Sequence, residues 1–310
     1  MSRELPLVSI VMPSYNYAHY LGEAIDSVLD QDYPNVELIV LDDGSTDGTR
    51  EVLEGYGEGR FHWETHENMG EARTLAKGWA MSRGEILGRV SADDVLLPRA
   101  VGACVEALLA EPGAVMAYGL YDMISADSAS TYGVDIPDTG YRGMVANLSH
   151  PIGPGAFFRR GAYEAAGPWD GSLPLTLDLD FWLRLGLRGR FVRVPETLAL
   201  FRAHEGSQSY RRADEARSDE YVRLIRSFYA RQPVPPEILA LERRSLSSAH
   251  FYAARSHVRS GRYGKGLARL AEALRLHPGN LSRHAAKNLT RGLRNYAKYR
   301  RHAGQGARGA

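Results

Sequence analysis

Two acidic turns hold the residues best suited to chemistry. Asp42 and Asp43 end one apolar run, in Leu41-Asp42-Asp43-Gly44-Ser45-Thr46-Asp47-Gly48, and Asp93 and Asp94 end another, in Ser91-Ala92-Asp93-Asp94. A hard divalent cation such as Mg²⁺ or Mn²⁺ takes oxygen ligands and keeps positions open for phosphate and water. In the second turn one carboxylate can bind such a cation while its neighbour accepts a hydrogen bond from a ribose hydroxyl. In the first, an aspartate can accept from the imide N–H of a pyrimidine. Both turns also have a plain structural reading, because Asp after a strand serves in turns and Ser45, Thr46 or Asp47 can cap the next helix.

The elements that would position these turns follow from periodicity. Val8 to Met12 is a short apolar run stopped by Pro13, and Val36 to Leu41 is another; both read as buried strands. Leu21, Ile25, Val28 and Leu29 fall at helical spacing between them. A helix from Thr49, a weaker strand at Phe61–Trp63, a helix over Ala72–Met81 and a strand over Ile86–Val90 continue the alternation. Pro98 then reads as the first-turn proline of a helix running to Leu109, and Val115–Tyr118 as a further strand. Strand and helix in this order imply right-handed crossovers and a mainly parallel sheet, with ligands beyond the carboxyl ends of the strands. Both acidic turns lie at such ends.

Residues 122–150 are rich in Ser, Gly, Asp and Pro and read as loops, with room for one hairpin. Residues 177–187 read as a helix and Thr197–Phe201 as a late strand. A polar stretch from Ala203 to Asp219 marks the expected boundary between residues 1–210 and a helical region, 211–310. In that region Glu220–Tyr229 and Ile238–His257 read as helices. A stretch opening at Gly261 and running through Leu274 resembles one tetratricopeptide unit, read as a helical hairpin packed on the main domain.

The chain has 310 residues, 44% hydrophobic and 24% charged, with a formal net charge of +1. Such a composition belongs to a folded chain with a sizeable core. Its single cysteine, Cys104, excludes an internal disulfide and a Cys-rich zinc site, and lies in an apolar helical stretch. No stretch approaches the roughly 20 apolar residues that span a bilayer, and no signal-like core precedes the first strand. The expected location is the cytoplasm.

From Leu281 to Ala310 there are eight Lys or Arg and no acidic residue, with Leu281, Ala285, Leu289, Leu293 and Tyr296 at helical spacing. Residues 281–301 read either as a packed helix with a solvated tail or as a basic amphipathic helix on the inner face of an anionic membrane. No nucleic-acid motif accompanies the charge, so no nucleic-acid partner is expected. A dinucleotide-dependent dehydrogenase is excluded as well: it requires Gly-x-Gly-x-x-Gly after the first strand, where this chain has Pro13-Ser14-Tyr15-Asn16.

Taken in order, several motifs form a set. These are Val8 to Asn16, Asp42 to Thr49, Asn68-Met69-Gly70, Ser91 to Asp94, Phe158-Arg159-Arg160, Gly167-Pro168-Trp169-Asp170, Asp178 to Leu185 and Phe201 to Ser207. In order and spacing the set resembles the inverting family 2 glycosyltransferases of GT-A fold, over about residues 6–210. The resemblance implies an α/β fold with a mainly parallel sheet and a C-terminal helical extension. It implies transfer of a sugar from a nucleoside-diphosphate donor, UDP favoured, to a hydroxyl of a sugar or lipid-linked saccharide in cell-surface polysaccharide or glycoconjugate synthesis.

Position by position, the resemblance implies that Pro13 and Tyr15 lie against the nucleobase. Asp43 accepts from the base with Asp42 beside it, and Asp93 holds the ribose or assists the metal. Asp94 coordinates Mg²⁺ or Mn²⁺, Asp178 is the catalytic base, and Arg202 and His204 face the diphosphate. An inverting transfer is a single displacement, in which a carboxylate takes the acceptor's proton as it attacks. Two departures from the family pattern stand out. Leu177 precedes Asp178 where many relatives have Glu, which leaves Asp180 open as an alternative base, and Ser91 replaces a further Asp. They also leave open a second reading, a catalytically inactive relative that binds nucleotide sugars or scaffolds an assembly. Trp79, Trp182 and Leu185 read as core. Trp63 and Trp169 read either as packing or as walls of the sugar site.

Overall fold

The computed structural model describes residues 5–149, 151–204, 213–231 and 233–281. Strand β1 (Val8–Ser14) sends Val8, Ile10 and Met12 to one face and Val11 to the other. Strand β2 (Val36–Asp42) divides Leu38 and Val40 from Ile39 and Leu41 in the same way. Apolar side chains on both faces are what a parallel sheet covered by helices requires. β3 (His62–Thr65), β2, β1 and β4 (Ile86–Arg89) lie in that order and run parallel.

The sheet then turns antiparallel through β8 (Ala156–Arg159), which pairs with both β4 and β6 (Ala114–Ser125). β9 (Arg190–Ala203) runs parallel to β6, and β5 (Val95–Leu96) closes the far edge antiparallel to β9. The strand after the second acidic turn is thereby tied to the strand that ends at Arg202 and Ala203.

One apolar layer holds α1 (Ala18–Leu29), α2 (Thr49–Glu54) and α4 (Ala100–Ala110), with Cys104 fully buried as its apolar surroundings predict. The other holds α3 (Glu71–Met81), α5 (Gly140–Asn147), α6 (Arg160–Ala166) and α7 (Leu177–Leu185). Gly78 lets α3 lie close to the sheet: a Cβ there would stand 2.4 Å from Val11 Cγ1. Trp79, Trp182 and Leu185 are buried in this second layer, as expected.

After the main sheet come α8 (Glu215–Ser218), α9 (Glu220–Arg231), α10 (Pro236–Leu239), α11 (Glu242–Arg259) and α12 (Tyr263–Leu276); α9, α10 and α11 join the same layer, and α8 and α12 pack on α11. Leu224, Ile225, Phe228, Ile238 and Ala249 share one apolar cluster with Trp79 and Phe181. The stretch from Gly261, expected to be a hairpin of its own, is a single helix, α12, which pairs with α11. The basic stretch from residue 282 lies outside the described residues.

Several features differ from the sequence reading. The strand expected at Val115–Tyr118 continues to Ser125, and Thr197–Phe201 is the end of a strand that starts at Arg190. Each is sustained by pairing with the other, across register shifts near Tyr118 to Tyr121 that apolar patterning does not encode. Residues 122–150 hold the one hairpin allowed for, β6 with β7 (Thr131–Gly133), and beyond it a helix that was not expected, α5. The single helix expected over Ile238–His257 is two, broken at Ala240–Leu241, so that both Ile238 and Ala249 reach the core. Pro98 stands ahead of the cap residue Arg99 rather than in the first turn, and its carbonyl accepts from Asp32 N–H at 3.0 Å.

Candidate active site

The first acidic turn is built against two neighbours. Asp43 N–H donates to the Ser14 carbonyl at 2.8 Å, which joins the ends of β1 and β2. Asp42, 1% exposed, accepts from Ser45 N–H at 3.0 Å. Asn16, at φ 58°, donates its N–H to Ser45 Oγ and accepts from Thr46 N–H, both at 2.8 Å. Asp43 Oδ1 accepts from Met69 N–H at 2.7 Å and Oδ2 from Gly70 N–H at 3.0 Å, so Asn68-Met69-Gly70 is held to this turn. Gly44 is needed here: at φ 75°, a Cβ would meet Asn68 N at 2.8 Å. His66 Nδ1 also stands 3.5 Å from Oδ1, which leaves Oδ2 as the oxygen with a second lone pair for a ligand donor. Tyr15 stands 47% exposed at the end of β1, just after Pro13. Asp47 organises the turn as a side-chain acceptor, taking Thr49 N–H at 3.1 Å and Ala18 N–H at 3.0 Å.

The second turn links β4 to β5 and is anchored from β9. Asp94 Oδ1 accepts from Arg202 N–H at 3.0 Å, and Arg202 Nε donates to the Asp93 carbonyl at 2.7 Å. The Arg202 guanidinium also donates to Ser125 O at 3.1 Å, Ser128 Oγ at 2.7 Å and Glu23 Oε2 at 2.6 Å, and lies over the Tyr20 ring at 4.6 Å. The sequence reading set Arg202 against a diphosphate. In the structure it is 1% exposed and its donors are aimed at protein acceptors beneath the acidic turn. His204 Nε2 meets Asp93 Oδ2 at 2.9 Å, and its ring packs between Tyr17 and Tyr20, at 5.5 and 5.2 Å. Burial, then the charge of Asp93, push the Asp94 carboxyl well above the usual carboxylate range, against the opposing pull of Arg202 and Arg89.

Asp178 and Asp180 both fall in the first turn of α7, and the structure separates them. Asp180 is 2% exposed and bound by Arg184 through Nε at 2.9 Å and a terminal nitrogen at 2.8 Å. The same guanidinium donates to the carbonyls of Gly167 at 3.0 Å and Pro168 at 2.9 Å, which locks the preceding loop. Asp178 lies on the other side of the helix, accepts from Leu179 N–H at 2.8 Å, and acts electrostatically on Arg89 and Tyr121.

Arg89 is the residue the sequence reading missed. Its guanidinium pairs with Glu71 at the start of α3 and lies 5.4 Å over the Trp169 ring. Burial works against its charge, but Glu71, Asp178 and Asp94 outweigh it and raise its pKa above the ordinary arginine value. One cation thus stands in the field of the second acidic turn and of Asp178 together. Tyr121 has the same two neighbours, and burial with the charges of Asp94 and Asp178 pushes its phenol up to about 12. The available signal was a charge inside the apolar run Ile86-Leu87-Gly88-Arg89-Val90. Trp169 packs against Phe181 and Trp182 and is 5% exposed, so of its two readings the packing one is observed.

The arrangement therefore presents, along the carboxyl-terminal edge of the parallel strands, a turn suited to a base, a turn suited to a cation and a carboxylate on a helix N-terminus. Among the described residues no group of three or more His, Cys, Asp or Glu forms a complete metal cage.

Known proteins resemble this chain in sequence and in fold. The family model described as glycosyl transferase family 2 matches residues 9–167. A glycosyltransferase of Rickettsia typhi whose activity is uncharacterized is 34% identical over 187 residues, 58% of each chain. The chain thus matches little more than half the length of that relative. A chondroitin synthase of Pasteurella multocida is 26% identical over 222 residues, 70% of this chain and 23% of that one. Among solved structures, S. aureus TarS 1–349 in complex with UDP-GlcNAc aligns with a TM-score of 0.66 at 16% identity, covering 97% of this chain and 92% of that one. The mannosyltransferase PcManGT from Pyrobaculum calidifontis, in complex with GDP-Man and Mn²⁺, aligns at 0.62 and 19% identity, covering 97% and 84%. These likenesses give the fold as GT-A.

Proposed function

The chain belongs to glycosyl transferase family 2, and we propose that it moves a sugar from a nucleoside-diphosphate donor to a hydroxyl acceptor with inversion, by a single displacement. The observation that carries this reading is that both acidic turns are built into the carboxyl-terminal edge of the parallel strands, with Asp43 held by the Met69 and Gly70 N–H groups and Asp94 by the Arg202 N–H.

In this reading Pro13 and Tyr15 flank the nucleobase, Asp43 accepts from it, Asp42 shapes the turn, and Asp93 faces the ribose. Asp94, with Asp93 beside it, holds Mg²⁺ or Mn²⁺. Its buried carboxyl, costly to ionise alone, fits a site that receives a cation, and diphosphate oxygens and water complete the coordination. When bound, the metal neutralises the charge that develops on the leaving diphosphate. Asp178 takes the acceptor proton. His204 supports the diphosphate, and Arg202 holds the turn from below. Asp180, committed to Arg184, has no part in proton transfer. Residues 1–210 are the catalytic module of this proposal, with 211–310 as the C-terminal region whose described helices, α8 to α12, brace it.

Two solved relatives, one with UDP-GlcNAc and one with GDP-Man and Mn²⁺, support a nucleotide-sugar donor and a divalent metal. The chondroitin synthase relative supports polysaccharide synthesis with a saccharide acceptor, free or lipid-linked. Among the described residues no helix is long and apolar enough to cross a membrane. We place the protein in the cytoplasm, with residues 281–301 as its peripheral membrane contact. Vesicle binding lost on truncation before Leu281 supports that contact, and equal binding by both forms overturns it.

The central test is a thermal-shift panel of UDP, GDP, TDP and ADP, each with Mn²⁺ and with EDTA. A ligand at a hundred times its dissociation constant adds about 2.7 kcal/mol. Stabilisation by one diphosphate, UDP expected, only with metal supports the proposal. No stabilisation by any of them overturns it.

A further inference from the structure

The catalytic edge is built from the strand–helix module, yet the turn that launches Asp178 is held from outside it. Glu220, the first residue of α9, is 1% exposed. Its Oε1 accepts from Leu175 N–H at 2.6 Å, Thr176 N–H at 2.7 Å and Thr176 Oγ1 at 3.1 Å. Thr176 is the N-cap residue of α7, and its own side chain does not cap the helix. A carboxylate across a gap of more than forty residues thus orders the backbone two positions ahead of Asp178.

The same helix holds the loop at its other end. Arg231, the last residue of α9, binds Asp170 at 2.7 Å, so α9 straps the 170–176 segment between its two termini. α9 is in turn fixed from behind. Asp219, immediately before it, accepts from Arg269 Nε at 2.8 Å and meets His257 Nε2 at 3.1 Å, from α12 and α11. Arg262 Nε donates to His257 Nδ1 at 3.0 Å, which leaves Nε2 as the ring's donor to Asp219. Tyr221, stacked on Tyr252 at 4.8 Å, lies within the field of Asp178.

We propose that Glu220 is a positioning residue for the Asp178 carboxylate, and that the downstream helices thereby form part of the catalytic apparatus. The inference rests on Asp178 being the base. A Glu220 side chain that only contributed to stability would have no reason to influence turnover apart from folding. One that sets the first turn of α7 controls where the base points, and a displacement of about 1 Å in such a group lowers the rate by about a hundredfold.

The test uses the full chain and water as acceptor: release of UDP from UDP-GlcNAc, or of GDP from GDP-mannose, with Mn²⁺. Four variants are compared with wild type: Glu220→Ala, Glu220→Asp, Glu220→Gln and Asp178→Asn. Glu220→Gln keeps an acceptor at Oε1 and is expected to retain kcat within about threefold. Glu220→Ala and Glu220→Asp, the latter withdrawn by one methylene, are expected to lose tenfold or more in kcat. KM for the donor and the diphosphate-induced thermal shift should stay unchanged.

Wild-type turnover in folded Glu220→Ala, or in Glu220→Asp if the alanine variant does not fold, overturns the inference. So does a Glu220→Gln variant as impaired as the others. Asp178→Asn separates the two levels. If it is inactive while the Glu220 variants turn over normally, only the positioning role fails. If it turns over like wild type, the assignment of the base fails, and this inference with it.

Discussion

His204 Nε2 and Asp93 Oδ2 meet at 2.9 Å, joining the residue after β9 to the turn after β4. The pair is walled by Tyr17 and Tyr20, so the imidazole has one orientation. If His204 supports the leaving diphosphate, His204→Ala should lower kcat by at least about tenfold, in keeping with loss of one preorganised donor. Steady-state kinetics on the donor identified by thermal shift check this, and an unchanged kcat removes His204 from the diphosphate.

Arg202 makes a different prediction. Replacing it with Met removes a buried charge that serves the Asp93 and Ser125 carbonyls, Ser128 and Glu23. Glu23 is half-exposed and recovers water, but the carbonyls do not. Arg202→Met should cost about 2–4 kcal/mol in urea unfolding. A variant as stable as wild type that fails only to bind diphosphate would return Arg202 to the ligand.

Asp178 and Asp180 should separate cleanly by observable. Asp180→Asn leaves the buried Arg184 without its anionic partner and should destabilise the fold by about 3 kcal/mol. Asp178→Asn should leave the unfolding midpoint near that of wild type and lower donor turnover by a hundredfold or more. Paired denaturation and turnover measurements decide between them, and a reversed pattern would make Asp180 the base.

Asp170 carries a pH signature. Burial opposes its charge, but hydrogen bonds from Ser172 and Arg231 hold its carboxyl down to about 2. A carboxyl depressed in the folded state contributes its full stabilisation above the unfolded value of about 3.9, and loses it as pH falls toward 2. Wild type should therefore exceed Asp170→Asn in urea midpoint at pH 6, and the gap should shrink steadily between pH 4 and pH 2. A gap independent of pH would mean that the Arg231 contact adds nothing through charge.

Much of this edge was legible because its parts are contiguous in sequence. Asp42-Asp43 and Asp93-Asp94 each close an apolar run, so strand ends and acidic turns are read together. Arg89 was visible as a misplaced charge, but its meaning depends on Glu71 and Trp169, which only the fold brings to it. Glu220 looked like any acidic residue opening a helix, since its partners at 175 and 176 belong to another segment. The full lengths of β6 and β9 were hidden for a related reason. Their polar residues are sustained by pairing with each other rather than by apolar periodicity. Arg202 shows the limit from the other side: its place in a motif says that it matters, while its burial says how.

Cys104 sits fully buried in α4, with its thiol 3.8 Å from the Gly155 carbonyl and pushed up to about 12 by burial. As the chain's one sulfhydryl, it doubles as an internal clock. An alkylating reagent can reach it only when α4 lifts from the sheet, so the rate of labelling counts openings of the α1–α4 layer. Any nucleotide that tightens the turns at the ends of β1, β2 and β4 should slow that clock, even before a single sugar has been transferred.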